Sequence, residues 1–303
     1  MTQRKLRFAL FGNIYQTKKS ASIQKVLSSI ANYDGELYVD EEYYKFLTDD
    51  QRLDVKASKI IRGVDFDADF AVSMGGDGTF LKTAARVGGK NIPILGVNMG
   101  RLGFLADISP SDIESCLGAL YRGSYATESR VLIEVLADDK PLGEYSCALN
   151  DVAILKRDTA SMISIRTCIH SNDDNAADCS QLLTTYQADG LVVSTPTGST
   201  AYSLSNGGPI IVPGTHVFSM TAVAPHSLNV RPIVIPDTSV VELEVESRSH
   251  SFLVAIDGRS EKCREGTRIT LRRAPYNIKV VKRHDHRYFN TLREKMMWGA
   301  DAR

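Results

Sequence analysis

The chain has 303 residues, 43% hydrophobic and 24% charged, which fits an ordinary soluble globular protein with room for two domains. Lys plus Arg and Asp plus Glu both total 36, so bulk charge excludes a generic pull toward nucleic acid or a membrane surface. The five cysteines, Cys116, Cys147, Cys168, Cys179 and Cys263, are odd in number, far apart and form no C-x-x-C pair, which fits reduced cytosolic thiols better than a disulfide framework or a zinc site.

The opening LRFALFG reads as a first strand ended by Gly12 rather than as an export signal. No apolar run approaches the ~20 residues of a membrane span, so the expected location is the cytoplasm. KKSASIQKVLSSIAN predicts a helix with Ile23, Val26, Leu27 and Ile30 on one face. ELYV is a short strand. DADFAVSM is another, and it runs into Gly75-Gly76; TFLKTAARV then reads as a helix stopped at Gly88-Gly89. NIPILGVN is the next buried strand. SPSDIESCLGALYRG is a helix with Ser109 as N-cap, Pro110 in the first turn and Asp112 as reciprocal cap. Strand–helix alternation predicts a parallel sheet covered by helices.

Near Glu128 the pattern changes. RVLIEVLADDKPLGEYSCALNDVAIL, SMISIRTCIH, GLVVST, PIIVP, FSMTAVA, RPIVIP, SVVELEVES, SFLVAID, TRITLRRA and NIKVVKR read as strands separated by turn residues. This half is expected to be a sandwich of antiparallel sheets. The basic stretch 272–287 reads as a solvated face, HSNDDNAADCS (170–180) as a mobile polar loop, and YFNTLREKMMWGA as a closing helix. His284 and His286, flanking Asp285, read as a solvated cluster rather than metal ligands.

Two segments carry chemistry. In GGDGTFLKTAAR, 75–86, a carboxylate sits inside a glycine turn between strand and helix. The turn lacks the third glycine of the dinucleotide fingerprint (Leu81 stands there) and the G-K-[ST] of a Walker loop. Phosphoryl transfer remains: glycines and the helix start admit polyphosphate, and Lys82 supplies a positive charge. Asp77 faces an acceptor hydroxyl, takes its proton or helps to hold Mg²⁺. The alternative is a tight turn with a capping aspartate. Arg101, between two glycines in GVNMGRLGFLADI, marks either a close approach to ligand or a plain turn. The second segment, 186–214, crowds Ser194, Thr195, Thr197, Ser199, Thr200, Ser203 and Ser205 around Tyr202, donors and a plate suited to a nucleoside, the alternative being a Ser/Thr-rich hairpin loop. Asn150-Asp151, at a strand start, offers an amide and a carboxylate to sugar or base, the alternative being a plain turn.

Together GGDGTFL at 75–81, NMGRLGFL at 98–105, LNDVAI at 149–154, ADGLVVSTPTGSTAYSLSNGGPI at 188–210, PHSLNVRPIVI at 225–235 and IDGR at 256–259 resemble the bacterial NAD kinase family. The resemblance implies an α/β plus all-β fold: a Rossmann-like parallel-sheet N-terminal domain (1–127), a C-terminal β-sandwich domain (128–283) and a tail (284–303) packing back on the first. It implies phosphoryl transfer from ATP to the 2′-hydroxyl of the adenosine ribose of NAD, with Mg²⁺ or another divalent cation, in a homo-oligomer, a dimer or tetramer. Carried over by motif, Asp77 is the proton acceptor and Gly78 lines its site. Asn150 and Asp151 hold the adenosine part. Asp189, Thr200, Ala201, Tyr202, Ser203 and Ser205 bind the rest of the dinucleotide, some from a neighbouring subunit, with Ala224 and Lys82 assigned more weakly. Asp151 stands where the family more often has Glu, one methylene longer. Lipid and sphingoid kinases share the G-G-D-G turn, and a non-catalytic dinucleotide sensor on this fold is the other rival.

Overall fold

The strand that enters the glycine turn, Phe70–Gly75, has all six residues buried. Burial on both faces is what a parallel sheet covered by helices demands. The computed structural model describes residues 4–16, 18–100, 103–158, 161–171, 181–282 and 287–299. Arg101, nearly all of the polar loop 170–180 and the His284–His286 cluster lie outside the described residues. The chain divides into two compact units, Met1–Ser129 with Ile278–Arg303, and Arg130–Asn277.

The first unit runs β1 (Arg7–Gly12), α1 (Ser20–Asn32), β2 (Glu36–Asp40), α2 (Glu41–Lys45), β3 (Lys59–Ile61), β4 (Phe70–Gly75), α3 (Asp77–Val87), β5 (Ile94–Asn98), α4 (Ile113–Tyr121) and β6 (Ala126–Arg130). The sheet order is β3-β2-β1-β4-β5, then the strand Ile278–Lys282, then β6. The pairs β1–β2, β2–β3, β1–β4 and β4–β5 are parallel. The chain builds outward from β1 to β3, then returns to place β4 on the other side of β1. That reversal opens a crevice at the carboxyl ends of β1 and β4, where open α/β sheets bind ligands. Ile23, Val26 and Ile30 of α1 join Phe8, Leu10 and Val72 in the core beneath it.

Three expectations need correction here. NIKVVKR does not belong with the antiparallel strands: Val280 pairs in parallel with Ile94 of β5. A strand's pattern shows that it is a strand but not which sheet it joins. Within the same stretch Lys282 is 4% exposed, not on a solvated face; its partner Asp107 is equally buried. In 109–123, α4 begins only at Ile113, and the Ser109 hydroxyl bonds the Asp112 carboxylate at 2.9 Å. The cap residues bond each other, so the first turn stays outside the helix. In residues 41–50, α2 runs into a π-helical turn, Phe46–Asp50. Its buried Tyr43, Phe46 and Leu47 keep helical spacing amid charged residues.

The second unit is β7 (Ile133–Ala137), β8 (Lys140–Pro141), β9 (Cys147–Ala148), β10 (Asp151–Lys156), β11 (Ile163–Ser171), β12 (Gln181–Ala188), β13 (Gly190–Ser194), a helical turn Tyr202–Ser205, β14 (Val217–Val223), β15 (Ile233–Pro236), β16 (Ser239–Glu246), β17 (Ser251–Ile256), β18 (Arg259–Arg264) and β19 (Ile269–Arg273). One sheet is ordered β15-β14-β13-β10-β17-β18 and the other β12-β11-β16-β19-β7-β8, with β9 also on β7. Val152, Leu191, Phe218 and Phe252 of the first meet Ile165, Val241, Leu243 and Leu271 of the second in one core. This is the expected sandwich. PIIVP is not a strand: the Ser199 hydroxyl accepts from the Ile211 N–H at 3.0 Å and donates its proton to the Pro196 carbonyl at 2.8 Å, with the Ile211 carbonyl within reach at 3.2 Å. A side chain replaces the neighbouring strand. β6, β12 and β18 carry no clear strand pattern, because ATESR, QLLTTYQA and RSEKCR are too polar or mixed. Among the described residues no helix is long and apolar enough to cross a membrane.

Candidate active site

Asp77 is the first residue of α3, directly beyond β4 at the sheet's carboxyl edge. Its side chain turns onto the loop after β5. Oδ1 accepts the N–H groups of Leu105 and Ala106, both at 3.1 Å, and Oδ2 accepts that of Phe104 at 3.0 Å. Lys295 of the closing helix Tyr288–Met296 adds a fourth donor, Nζ to Oδ2 at 3.3 Å. Burial pushes the carboxyl's pKa up. The N–H of Ala106, the charge of Lys295 and the N–H groups of Phe104 and Leu105 outweigh it, and hold the pKa below the ordinary 3.8. Asp77 is therefore an oriented, ionised carboxylate.

The glycines divide by role. A Cβ on Gly75 would collide with Thr79, and one on Gly103 with Asp77 itself. Those two are required by packing. A Cβ on Gly76 or Gly78 would meet nothing within 4 Å, and neither has a positive φ. The fold does not need glycine there, so the open space beside the N–H groups of the first turn is available to a ligand. The tight-turn reading accounts for Gly75 but not for these two. The 103–107 loop is anchored by Lys282, whose Nζ lies 2.7 Å from Asp107 Oδ2 with both side chains 3% exposed. Lys82 is exposed and five residues beyond Asp77, about 140° round the helix.

In the second unit, Asn150 and Asp151 enter β10 over a second aimed carboxylate. Asp257 heads a D-G turn between β17 and β18 at φ 48°. It accepts the N–H groups of Leu149 at 2.8 Å, Asn150 at 2.8 Å and Asp151 at 3.2 Å. Held this way, the Asn150 side-chain Oδ1 is buried with no hydrogen-bond partner among the described residues. Asp151 is buried as well. Burial first, then the charge of Asp257, raise its pKa to about 7, against one N–H bond from Tyr202. Burial also raises Asp257, but its three N–H bonds and Arg259 favour its anion. Both carboxyls of this pair are thus pushed toward the protonated form, and Asp151 has the fewer hydrogen bonds to its anion.

The hydroxyl-rich run is mostly architecture. Ser194, Thr195, Ser199 and Ser203 are fully buried. Thr195 Oγ1 donates to the Leu149 carbonyl at 2.6 Å, and Ser203 meets Thr221 at 3.1 Å. Gly198 packs against the Asn150 backbone, where a Cβ would collide. Ser203 thus faces inward. Thr200 and Ala201 are half-buried, and Tyr202 and Ser205 are exposed. Tyr202 and Asp151 come together through the Tyr202 N–H.

Asp189 and Ala224 lie elsewhere. Asp151 is opposite Ser194, whereas Leu155 is opposite Gly190, so Asp189 is at the far end of β10, ~17 Å along the strand. There it pairs with Lys156 at 2.7 Å and donates its N–H to the Val223 carbonyl. Ala224, exposed at φ 45°, follows directly. Asp257, Lys282 and Lys295 were not singled out in the sequence. The D-G pair in IDGR was a readable turn signal for the first; a closing helix with Leu292 and Lys295 three residues apart was a faint one for the last.

An aimed, ionised aspartate in a glycine turn beside a helix start is suited to phosphoryl transfer onto an alcohol group. Residues 12–125 match the model of the ATP-NAD kinase N-terminal domain, and 149–283 that of the C-terminal domain. The NAD kinase of Bacteroides fragilis (strain ATCC 25285) is 57% identical over 298 residues, 98% of this chain and all of that one. That of Porphyromonas gingivalis (strain W83) is 42% identical over 98% of this chain and 99% of its own. Among solved structures, yeast NADH kinase complexed with NADH superposes with a TM-score of 0.85 at 20% identity, covering all of this chain and 90% of that one. An Archaeoglobus fulgidus NAD kinase in complex with ATP gives 0.74 at 22% identity, covering 96% and 99%. The chain belongs to the ATP-NAD kinase family.

Proposed function

We propose that the chain transfers the terminal phosphoryl group of ATP to the 2′-hydroxyl of the adenosine ribose of NAD, forming NADP. The observation that carries this reading is the Asp77 carboxylate, fixed by three N–H groups beside two glycines the fold does not need. The glycine space and the helix start receive the phosphates. Asp77 aligns the acceptor hydroxyl. A carboxylate held below its ordinary pKa is a weak base, yet this suffices: in a loose phosphoryl-transfer transition state the hydroxyl becomes strongly acidic only as its new bond forms. Asp77 then takes a late proton.

Asn150 Oδ1, buried and lacking a donor, suits an amino or hydroxyl group of the adenosine. Asp151, Thr200, Ala201, Tyr202 and Ser205 complete that surface. Asp189 and Ala224, at the other end of β10, would serve a dinucleotide held with a neighbouring subunit of a homo-oligomer. Mg²⁺ would arrive on the triphosphate. When bound, it neutralises phosphate oxygens.

The test is NADP formation by the purified protein with NAD, ATP and Mg²⁺, repeated with Asp77→Asn. The variant should bind NAD in calorimetry within a few-fold of wild type and lose ~10²–10⁴-fold in turnover. Normal turnover would remove Asp77 from the role.

A further inference from the structure

A carboxylate has about four lone-pair positions, and on Asp77 all four are filled from within the chain. Three donors are backbone N–H groups of a loop anchored by the buried Lys282–Asp107 pair. The fourth is Lys295, at 3.3 Å the longest of the set, on a flexible stem with its side chain 33% exposed. An acceptor hydroxyl that donates to Asp77 needs one of these positions, and the exchangeable one is that of Lys295.

Lys295 is brought there by packing. Leu292, three residues earlier and on the same helix face, is buried, and so is Thr291. The Tyr288 ring lies 6.2 Å from the Phe104 ring, and the Lys295 ammonium sits 4.6 Å over that same ring. Phe104 thus gives Asp77 an N–H with its backbone and the closing helix a platform with its side chain.

We infer that Lys295 is a catalytic residue whose ammonium holds the hydroxyl's position on Asp77 in the free protein and passes to the transferring phosphoryl oxygens when the hydroxyl takes that position. The inference rests on the reading of Asp77 given above. The ammonium lies beside the Asp77 oxygen that the hydroxyl would use, on a flexible stem, and neutralising phosphoryl charge is the main thing a protein contributes to such a transfer. In the step, the ribose oxygen bonds to the γ-phosphorus. The bond from that phosphorus to the β–γ bridging oxygen breaks, and its electron pair leaves with ADP. The hydroxyl proton goes to Asp77. Lys295 stays protonated throughout.

The test compares Lys295→Met and Lys295→Arg with wild type for kcat, KM, NAD affinity and the pH dependence of kcat/KM. Lys295→Met should lose ~10²-fold in kcat with NAD affinity unchanged within about twofold. Lys295→Arg, which keeps a cation, should recover to within ~10-fold of wild type. In the Met variant the acidic limb of the profile should move to higher pH, because the cation no longer favours the Asp77 anion; a helix contact with no part in the chemistry would leave that limb in place. Wild-type or higher kcat in Lys295→Met would overturn the inference, since the ammonium would then be idle or merely in the way. Equal losses in both variants without a limb shift would also overturn it, leaving a packing role. If Asp77→Asn is inactive while Lys295→Met is active, this inference alone fails; if Asp77→Asn is active, the reading beneath it fails.

Discussion

Asp151→Asn removes one titrating carboxyl and keeps its shape. The pKa of about 7 against an ordinary 3.8 means that the folded protein resists ionising this buried group. At 1.36 kcal/mol per tenfold, the difference corresponds to ~4 kcal/mol. For an acid with a raised folded pKa, the stabilising contribution is complete below about pH 4 and is lost as pH rises through about 7. Most of the loss in the useful range falls between pH 5 and 8 and amounts to ~2–3 kcal/mol. The Asn variant, whose amide oxygen still accepts the Tyr202 N–H, lacks that slope. Urea unfolding followed by circular dichroism at pH 5, 6, 7 and 8 measures it: the variant's advantage over wild type should grow by ~2–3 kcal/mol across the series. A gap that stays constant with pH would refute the burial-and-repulsion account of Asp151.

Gly78→Ala should leave the melting temperature unchanged or slightly raised, since a methyl there meets open space and alanine favours a helix by up to ~1 kcal/mol. The KM for ATP should nevertheless rise ~10-fold or more in steady-state assays, because ~1.4 kcal/mol of lost phosphate contact is a factor of ten; an unchanged KM would return the turn to a purely structural role. Lys282→Met should cost ~3–5 kcal/mol in chemical unfolding by stripping Asp107 of its buried cation. Turnover should fall with it, as the loop that orients Asp77 loosens; a stable, fully active variant would disconnect that anchor from the site.

The alternation of buried strands and amphipathic helices up to residue 123 was legible, because a 3.6-residue period and a continuous apolar run are local signals. So was the aspartate within its glycine turn. What Asp77 does with its oxygens was not: its partners lie 27 to 29 residues away at Phe104–Ala106 and 218 away at Lys295. The same holds for the serines and threonines of 194–205. Their composition suggested ligand donors, yet burial turned most of them inward, since an unbonded hydroxyl in a core is costly and the backbone there needed partners.

The chain alone determined the two kinds of architecture and the motifs that carry the chemistry, since these depend on residues near one another in sequence. The tertiary structure decided which sheet claims Ile278–Lys282, which of the motif residues remain accessible, and which charges meet. Those outcomes depend on burial and on contacts between distant segments, and local periodicity carries no record of them.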